Sequence, residues 1–405
     1  MDRYSEGLVD MQEIFGPDLI TEGVRAKVGE LIRAMLEGEL EEAINAVRYT
    51  HSQGRQGYRN GAKPRKVYGG FGLVNLDVPR GLLIGKSGNK SEWRSQLLPP
   101  YQRRTNQLDS TLVSLYFSGT NLGRIKRALK PLFEEAPLSK SVISRLVRKL
   151  KRYLDIWRKR DLRGERYVYL YLDAKNFSVK IFNKVEVVPV LVVLGVRIDG
   201  QKEVLAMEMQ IKEKEIAWAE VINALISRGI SMPELVIIDG HKGLYNAVKG
   251  AWPKVLVQRC TVHKLRNLES HCPVRLYEEV KSDYHDIVYA QDIEQARKAY
   301  RSFINKYKDR LPDVANSLEE AGEELMTFYK FPQEQWGSLR TTNPIERLNL
   351  EFERRVKTQG SLPSQESALL ILWGLIVSGQ IRFHKIKGYK KMPEIRHEKS
   401  LKECA

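Results

Sequence analysis

Two aspartates stand directly after apolar runs. Asp173 closes YVYLYLD (167–173), and Asp239 closes LVIID (235–239). Runs of that length read as buried strands, and a charge after them is expected where each strand leaves the core. In open α/β sheets that rim is where ligands bind. Two carboxylates on neighbouring strands offer hard oxygen ligands to divalent ions such as Mg2+ or Mn2+. The plainer account makes Asp239-Gly240 a simple turn and Asp173 the cap of another.

A third carboxylate comes from RTTNPIERLNLEFERR (340–355). Asn343 as N-cap, Pro344 in the first turn and Glu346 three residues on make a capping box. The same geometry fixes Glu346 on one face of a helix, with Asn349 and Glu353 on that face at i+3 and i+7. Glu353 is therefore a rival for the third position. The block QRCTVHKLRN (258–267) follows a short apolar run, and its Cys260 and His263 have metal-ligand spacing. A zinc site completed by His271 and Cys272 is one reading. The other packs Cys260 in the core and leaves His263 as a polar group at the site's edge. GLLIGKS (81–87) looks like a phosphate-binding loop, but it has three residues between its glycines where that loop needs four, so no ATP site is expected.

The elements that must carry these residues alternate from residue 166 onward. Strands are expected at 167–172, 187–198, 203–209, 235–238 and 255–257, with Asp199-Gly200 as a tight turn. Helices are expected at 214–228 and 242–250. Three strands in succession, then strand and helix in turn, give a mixed sheet with helices on its faces. Residues 262–335 lack strand patterns and read as a helical insertion. The region 343–380 is helical with a break near 360–363. Before residue 160 the texture is different. Residues 18–48 are an amphipathic helix with Asp18 or Thr21 as cap. Residues 51–81 form a small hairpin with a basic flank, and 82–100 an irregular connection. Helices follow at about 107–117 and 120–133, then a break at 134–137. A helix capped by Ser139 comes next and carries Arg145, Arg148, Lys149, Lys151 and Arg152. Such a pair resembles a helix-turn-helix, whose basic residues meet phosphates and base edges.

Charge supports a polyanionic partner. The chain of 405 residues carries a net charge of +17, and residues 101–160 alone hold 15 Lys/Arg against 4 Asp/Glu. The segment 381–405 adds 8 against 3. This balance suits nucleic acid or an anionic surface. Three cysteines, Cys260, Cys272 and Cys404, exclude a disulfide scaffold and fit a reducing cytoplasm. No apolar stretch is long enough for a transmembrane helix, and the first residues lack a secretory signal.

The blocks LDA (172–174), IDGHKGL (238–244), QRCTVHKLRN (258–267) and TTNPIERLNLEFERRVK (341–357) occur in that order. GYRNG (57–61), VPR (78–80) and LSKSVISRL (138–146) precede them. Together they resemble the bacterial Mutator family of insertion-sequence DDE transposases, over roughly 50–380. The resemblance implies an α/β fold. An RNase H-like catalytic domain would occupy 161–380, with an all-α insertion at about 262–338. Before it would lie a mainly helical DNA-binding region with a small β-hairpin, split into 1–100 and 101–160; a basic tail, 381–405, would follow. It places the catalytic, metal-holding triad on Asp173, Asp239 and Glu346, with two Mg2+ or Mn2+ ions. Cys260, His263, Asn343 and Asn349 would support it. Lys242, Lys264, Arg266, Arg347, Arg354 and Arg355 flank these blocks as candidate DNA contacts. GTNLGRI (119–125) departs from the family's usual Ser-Thr-Arg run. The expected partners are double-stranded transposon ends and target DNA, with at least a homodimer on DNA, no membrane and no ATP. The expected setting is the cytoplasm, at the nucleoid. The competing readings are a transposase-derived DNA binder without catalysis and an RNase H-like nuclease that cuts without joining.

Overall fold

The computed structural model describes residues 18–50, 54–85, 88–117, 125, 129, 133, 140–182, 184–211, 213–357, 360–362 and 364–392, without the side chains of 140–144. The chain divides into two compact units, one from residues 1–116 and 120–149, the other from 117–119 and 150–405.

In the first unit, helix α1 (Leu19–Ile44) is capped by Asp18, whose side chain accepts from Thr21 N–H at 3.0 Å. Leu36, Leu40 and Ile44 recur every fourth residue, so they share one stripe, and all three are fully buried. A hairpin of β1 (Gly57–Gly69) and β2 (Gly72–Ile84) packs Val67, Val74, Leu76 and Val78 against Leu36, while Leu40 and Ile44 cluster with Ala46 and Trp93. The hairpin is as expected, but the stretch after it is not irregular. Strand β2 runs to Ile84, and β3 (Lys90–Glu92) adds a third antiparallel strand. Trp93 and Leu98 then return to the core. Helix α2 (Asn106–Phe117) supplies Leu108 and Leu112 to a cluster with Tyr68, Ile125, Leu129 and Phe133. The first helix of the expected helix-turn-helix, at 120–133, and the break after it lie almost wholly outside the described residues. The second is α3 (Lys140–Arg158), with Arg145, Arg148, Lys149 and Arg152 exposed.

The second unit is α/β. Strands β4 (Tyr167–Ile181), β5 (Lys184–Arg197), β6 (Lys202–Met209), β7 (Leu235–Ile238) and β8 (Leu256–Arg259) form one mixed sheet in the order β6-β5-β4-β7-β8. The first three are antiparallel neighbours, and β4-β7 and β7-β8 are parallel. Gly200, with φ of 82°, makes the turn between β5 and β6. A Cβ there would meet Tyr389 at 2.3 Å, so glycine is required twice over. Leu170, Leu172, Val193, Val236 and Ile238 share one core with helices α4 (Glu215–Ser227) and α5 (Lys242–Ala251), which contribute Trp218, Ile222, Leu244 and Val248.

Every regular element between Thr261 and Leu339 is helical: α6 (Thr261–Ser270), α7 (Tyr277–Val288), α8 (Ile293–Tyr307), α9 (Pro312–Ala321), short 3-10 turns and α10 (Gln333–Leu339). This segment is not a free lobe. Buried Gln258 on β8 donates to Leu325 C=O and accepts from Phe328 N–H, both at 2.8 Å. The segment also closes on itself, since Thr261 N–H donates to Arg340 C=O at 2.9 Å. Helices α11 (Asn343–Val356) and α12 (Gln365–Val377) follow, the latter buried without interruption from Ala368 to Leu375. The start of the basic tail is folded rather than loose. Ile386 N–H donates to Gly200 C=O, and Met392 is 1% exposed. Residues 393–405 lie outside the described set. No helix among the described residues is long and apolar enough to cross a membrane.

Candidate functional site

Alternation along β4 sorts its side chains. Leu170 and Leu172 point to the α4 and α5 side, so Tyr169, Tyr171 and Asp173 share the opposite face. Tyr169 Oη donates to Gln335 Oε1 at 2.5 Å, and Tyr171 Oη donates to Ser338 C=O at 3.0 Å. These bonds seat α10 on the sheet, and α10 leads directly into the block that carries Glu346. Asp173 is therefore on the face where α11 arrives.

Strands β4 and β7 set the two aspartates level. Their parallel register pairs Tyr169 with Leu235 and Tyr171 with Ile237. Carried two residues further, it sets Asp173 beside Asp239. Here the expectation for Asp173 needs correction, because it does not end its strand. Strand β4 continues eight residues beyond it as a hairpin arm with β5, and Asp173 pairs with Val192. What ends at this level is the parallel half of the sheet, where β7 stops at Ile238. Asp173 is thus 8% exposed inside a strand, and Asp239 lies at a strand's exit. The turn reading of Asp239 is half right. Its Oδ1 accepts from Gly240 N–H at 2.7 Å and His241 N–H at 2.9 Å, which leaves Oδ2 for a ligand.

Glu346 reaches the site in the first turn of α11, but not through a capping box. The cap position is Thr342 rather than Asn343, and no side chain caps the helix. Asn343 is exposed. The Thr342 hydroxyl lies 3.0 Å from Glu346 Oε1 and 3.2 Å from Cys260 Sγ, with one proton to give to either. Its N–H donates to Cys260 Sγ at 3.3 Å. His263 Nε2 is 3.6 Å from Glu346 Oε1. Three residues along α11, Asn349 Nδ2 donates to Asp173 Oδ2 at 2.8 Å. Glu353, the rival, pairs with Lys175 at 2.7 Å.

Electrostatics tie the groups together. Burial, then the negative charge of Asp239, pushes the Asp173 carboxyl up to about 7; His263 pulls it down and Glu346 adds to the rise. The hydrogen bond with Cys260 raises His263 to about 9, against burial, with the charges of Cys260, Glu346 and Asp173 adding to it. Burial raises the Cys260 thiol, but hydrogen bonds from His263 and Thr342 outweigh it and leave the group below its ordinary value. The negative charges of Asp239 and Glu346 and the positive charge of His263 thus act in opposite directions on Asp173.

Like Asp239, Glu346 lies close enough to Asp173 for its charge to act there. With Cys260 and His263 it forms the one group among the described residues whose ligand atoms all lie within 4.8 Å of one another, a softer set suited to a transition metal. The zinc site built with His271 and Cys272 is overturned. His271 follows His263 by eight residues along α6, about 12 Å at 1.5 Å per residue, and Cys272 Sγ donates to Pro273 C=O. The sequence reading missed Thr342 and Arg259. Arg259 is buried, and its guanidinium donates to Gly240 C=O at 2.8 Å and to Glu320, which fixes the turn after Asp239. The adjacent Gln-Arg in QRCTVHKLRN was the available signal.

The family model for "Transposase, Mutator family" matches residues 5–385. This chain belongs to the Mutator family of transposases. The match starts well before the residue 50 expected from the motifs. The transposase for insertion sequence element ISRM5 of Rhizobium meliloti (strain 1021) is 30% identical over 380 residues, 94% of this chain and 93% of that protein. The transposase for IS256 in transposon Tn4001 of Staphylococcus aureus is 30% identical over 345 residues, 85% and 86% of the two chains. Among solved structures, the "Drosophila P element transposase strand transfer complex" gives a TM-score of 0.42 at 10% identity, covering 69% of this chain and 94% of that one.

In this transposase the basic residues singled out by position fare differently. Lys264 is buried, and its ammonium donates to Ser317 C=O at 2.8 Å and to Glu320 at 3.0 Å. Its charge is engaged within the protein, which the basic-block reading did not anticipate. Lys151 is paired with Glu366, and Arg354 and Arg355 both pair with Glu351. Lys242, Arg266 and Arg347 are exposed.

Proposed function

We propose that this transposase cleaves and joins DNA with Asp173, Asp239 and Glu346 as a DDE triad that holds two divalent ions, Mg2+ or Mn2+, in an RNase H-like domain. The sheet order, three antiparallel strands followed by two parallel ones, supports that fold assignment. The observation that carries the chemical reading is the level register of Asp173 and Asp239, with Glu346 brought to the same face by Thr342 and α11. The donor set fits hard ions. It consists of carboxylates with a buried, strongly raised Asp173, and beside it the Asn349 Oδ1 atom is buried without a hydrogen-bond partner. Asp173, Asp239 and Glu346 would hold the ions through carboxylate oxygens, the ligands that Mg2+ and Mn2+ take.

Bound ions would activate a water, and later a DNA 3′-hydroxyl, and stabilise the leaving oxygen of the phosphodiester. The chain's own residues prepare that chemistry. Asn349 fixes one oxygen of Asp173, the 239–241 turn fixes one oxygen of Asp239, and Thr342 with His263 aims Glu346. Exposed Lys242, Arg266 and Arg347 would hold the DNA backbone beside the site. Arg145, Arg148, Lys149 and Arg152 on α3 would serve the binding region, residues 1–160, on the element's terminal inverted repeats. Joining two ends requires at least a dimer on DNA.

The test is a gel assay with labelled transposon ends and purified full-length protein. Asp173→Asn, Asp239→Asn and Glu346→Gln should each lose cleavage by several orders of magnitude while retaining end binding. With a pre-cut end, the wild type should join to target DNA and the variants should not. Cleavage at the wild-type rate in any of the three would remove that residue from the triad. Cleavage without joining by the wild type would leave a nuclease, and binding without either a DNA-binding protein.

A further inference from the structure

We propose that Asn349 is a fourth residue of the ion-holding set, its side-chain carbonyl oxygen serving as a ligand to the ion at Asp173; this rests on the triad reading above. Asn349 is 3% exposed, amid core residues Ile345, Leu348 and Phe352 of α11. Its Nδ2 donates to Asp173 Oδ2 at 2.8 Å. Its Oδ1 is fully buried with no hydrogen-bond partner. An Asp173 ionised by a bound ion can only accept, so the amide nitrogen faces it, and the oxygen is the end left over. A buried acceptor left unpaired is costly, and only the nitrogen end of this side chain has a partner. An amide oxygen is a hard ligand of the kind Mg2+ and Mn2+ take. It sits on the same side chain that fixes Asp173, and one helical turn from Glu346. The geometry therefore gives Asn349 two tasks: to hold one Asp173 oxygen still, and to present an oxygen to the ion. Partners of this kind typically change metal affinity by about 10- to 100-fold.

The experiment is Mn2+ binding to the full-length protein without DNA, followed by the electron paramagnetic resonance of free Mn2+, beside melting curves in EDTA. Asn349→Leu should weaken Mn2+ binding by about 10- to 100-fold, and its melting curve in EDTA checks that it is folded, since it also leaves Asp173 Oδ2 without its donor. Asn349→Asp keeps an oxygen but sets a carboxylate beside Asp173. It should melt lower in EDTA and gain more from Mn2+ than the wild type does. Asp239→Asn is the control for the triad reading. If Asp239→Asn loses binding but Asn349→Leu binds Mn2+ as the wild type does, Asn349 is structural and the proposal is wrong. If wild type and Asp239→Asn bind alike, or neither binds, the ion reading itself fails and takes the proposal with it. Should Asn349→Leu not fold, an unchanged Mn2+ gain in Asn349→Asp overturns the proposal equally.

Discussion

Asp173→Asn separates the electrostatic argument from the catalytic one, because it should stabilise the protein that it inactivates. Burial and the charges of Asp239 and Glu346 raise the Asp173 carboxyl from an ordinary 3.8 to about 7. A folded-state value above the unfolded one means that the folded protein favours the protonated form. The contribution of that form is complete below pH 3.8 and is lost as the pH rises through about 7. At roughly 1.4 kcal/mol for each tenfold change in proton concentration, the interval from 3.8 to about 7 comes to about 4 kcal/mol. Asparagine has no charge to bury, and it keeps an oxygen for the Asn349 amide. In EDTA at pH 8, Asp173→Asn should exceed the wild type by about 4 kcal/mol, and moving to pH 5 should remove about 3 kcal/mol of that gap. The assay is urea unfolding followed by tryptophan fluorescence at both pH values, with EDTA and then with Mn2+. Added Mn2+ should stabilise the wild type and leave the variant unmoved. A variant no more stable than wild type at pH 8 in EDTA, or a gap that does not change with pH, would refute the reasoning.

Two further outcomes follow from side-chain partners. Glu353→Gln should cleave within about threefold of wild type, since Glu353 pairs with Lys175 at the surface and such pairs contribute about 0–1 kcal/mol; a rate as low as that of Glu346→Gln would restore Glu353 as the third carboxylate. Gln258→Leu should cost about 2–6 kcal/mol in urea unfolding, because it strands the Leu325 carbonyl and the Phe328 amide at roughly 1–3 kcal/mol each, and a loss under 1 kcal/mol would show that the helical segment does not depend on this clamp.

Much of the site could be read from the chain because its signals are local. Strand β7 lies where a four-residue apolar run must be buried, and Asp239 follows it at once. Helix α11 was placed by Asn-Pro and its period. The misses have long-range causes. Strand β4 reads as ending at Asp173 because apolar residues give way to Lys175 and Asn176. Its continuation depends on cross-strand pairing with Lys184–Val192, which no window on β4 alone contains. The cap of α11 shifted by one residue because Thr342 is engaged by Cys260, 82 positions earlier. Lys264 reads as one more charge in a basic block, yet its partners Ser317 and Glu320 lie 53 and 56 positions away. The bridging amide of Asn349 likewise depends on a partner 176 residues off.

The hydrogen bond between Thr261 and Arg340 makes the intervening seventy-eight residues an excursion that departs and lands at one spot. Threading length in or out of such a detour adds little closure entropy, since that grows only logarithmically with the number of residues. The middle of this detour can therefore be resized without moving the two points at which it leaves and rejoins the sheet domain. Only the return leg over β8, anchored through Gln258, resists such editing, and a shortened variant that kept Leu325 and Phe328 in place should still assemble its catalytic face.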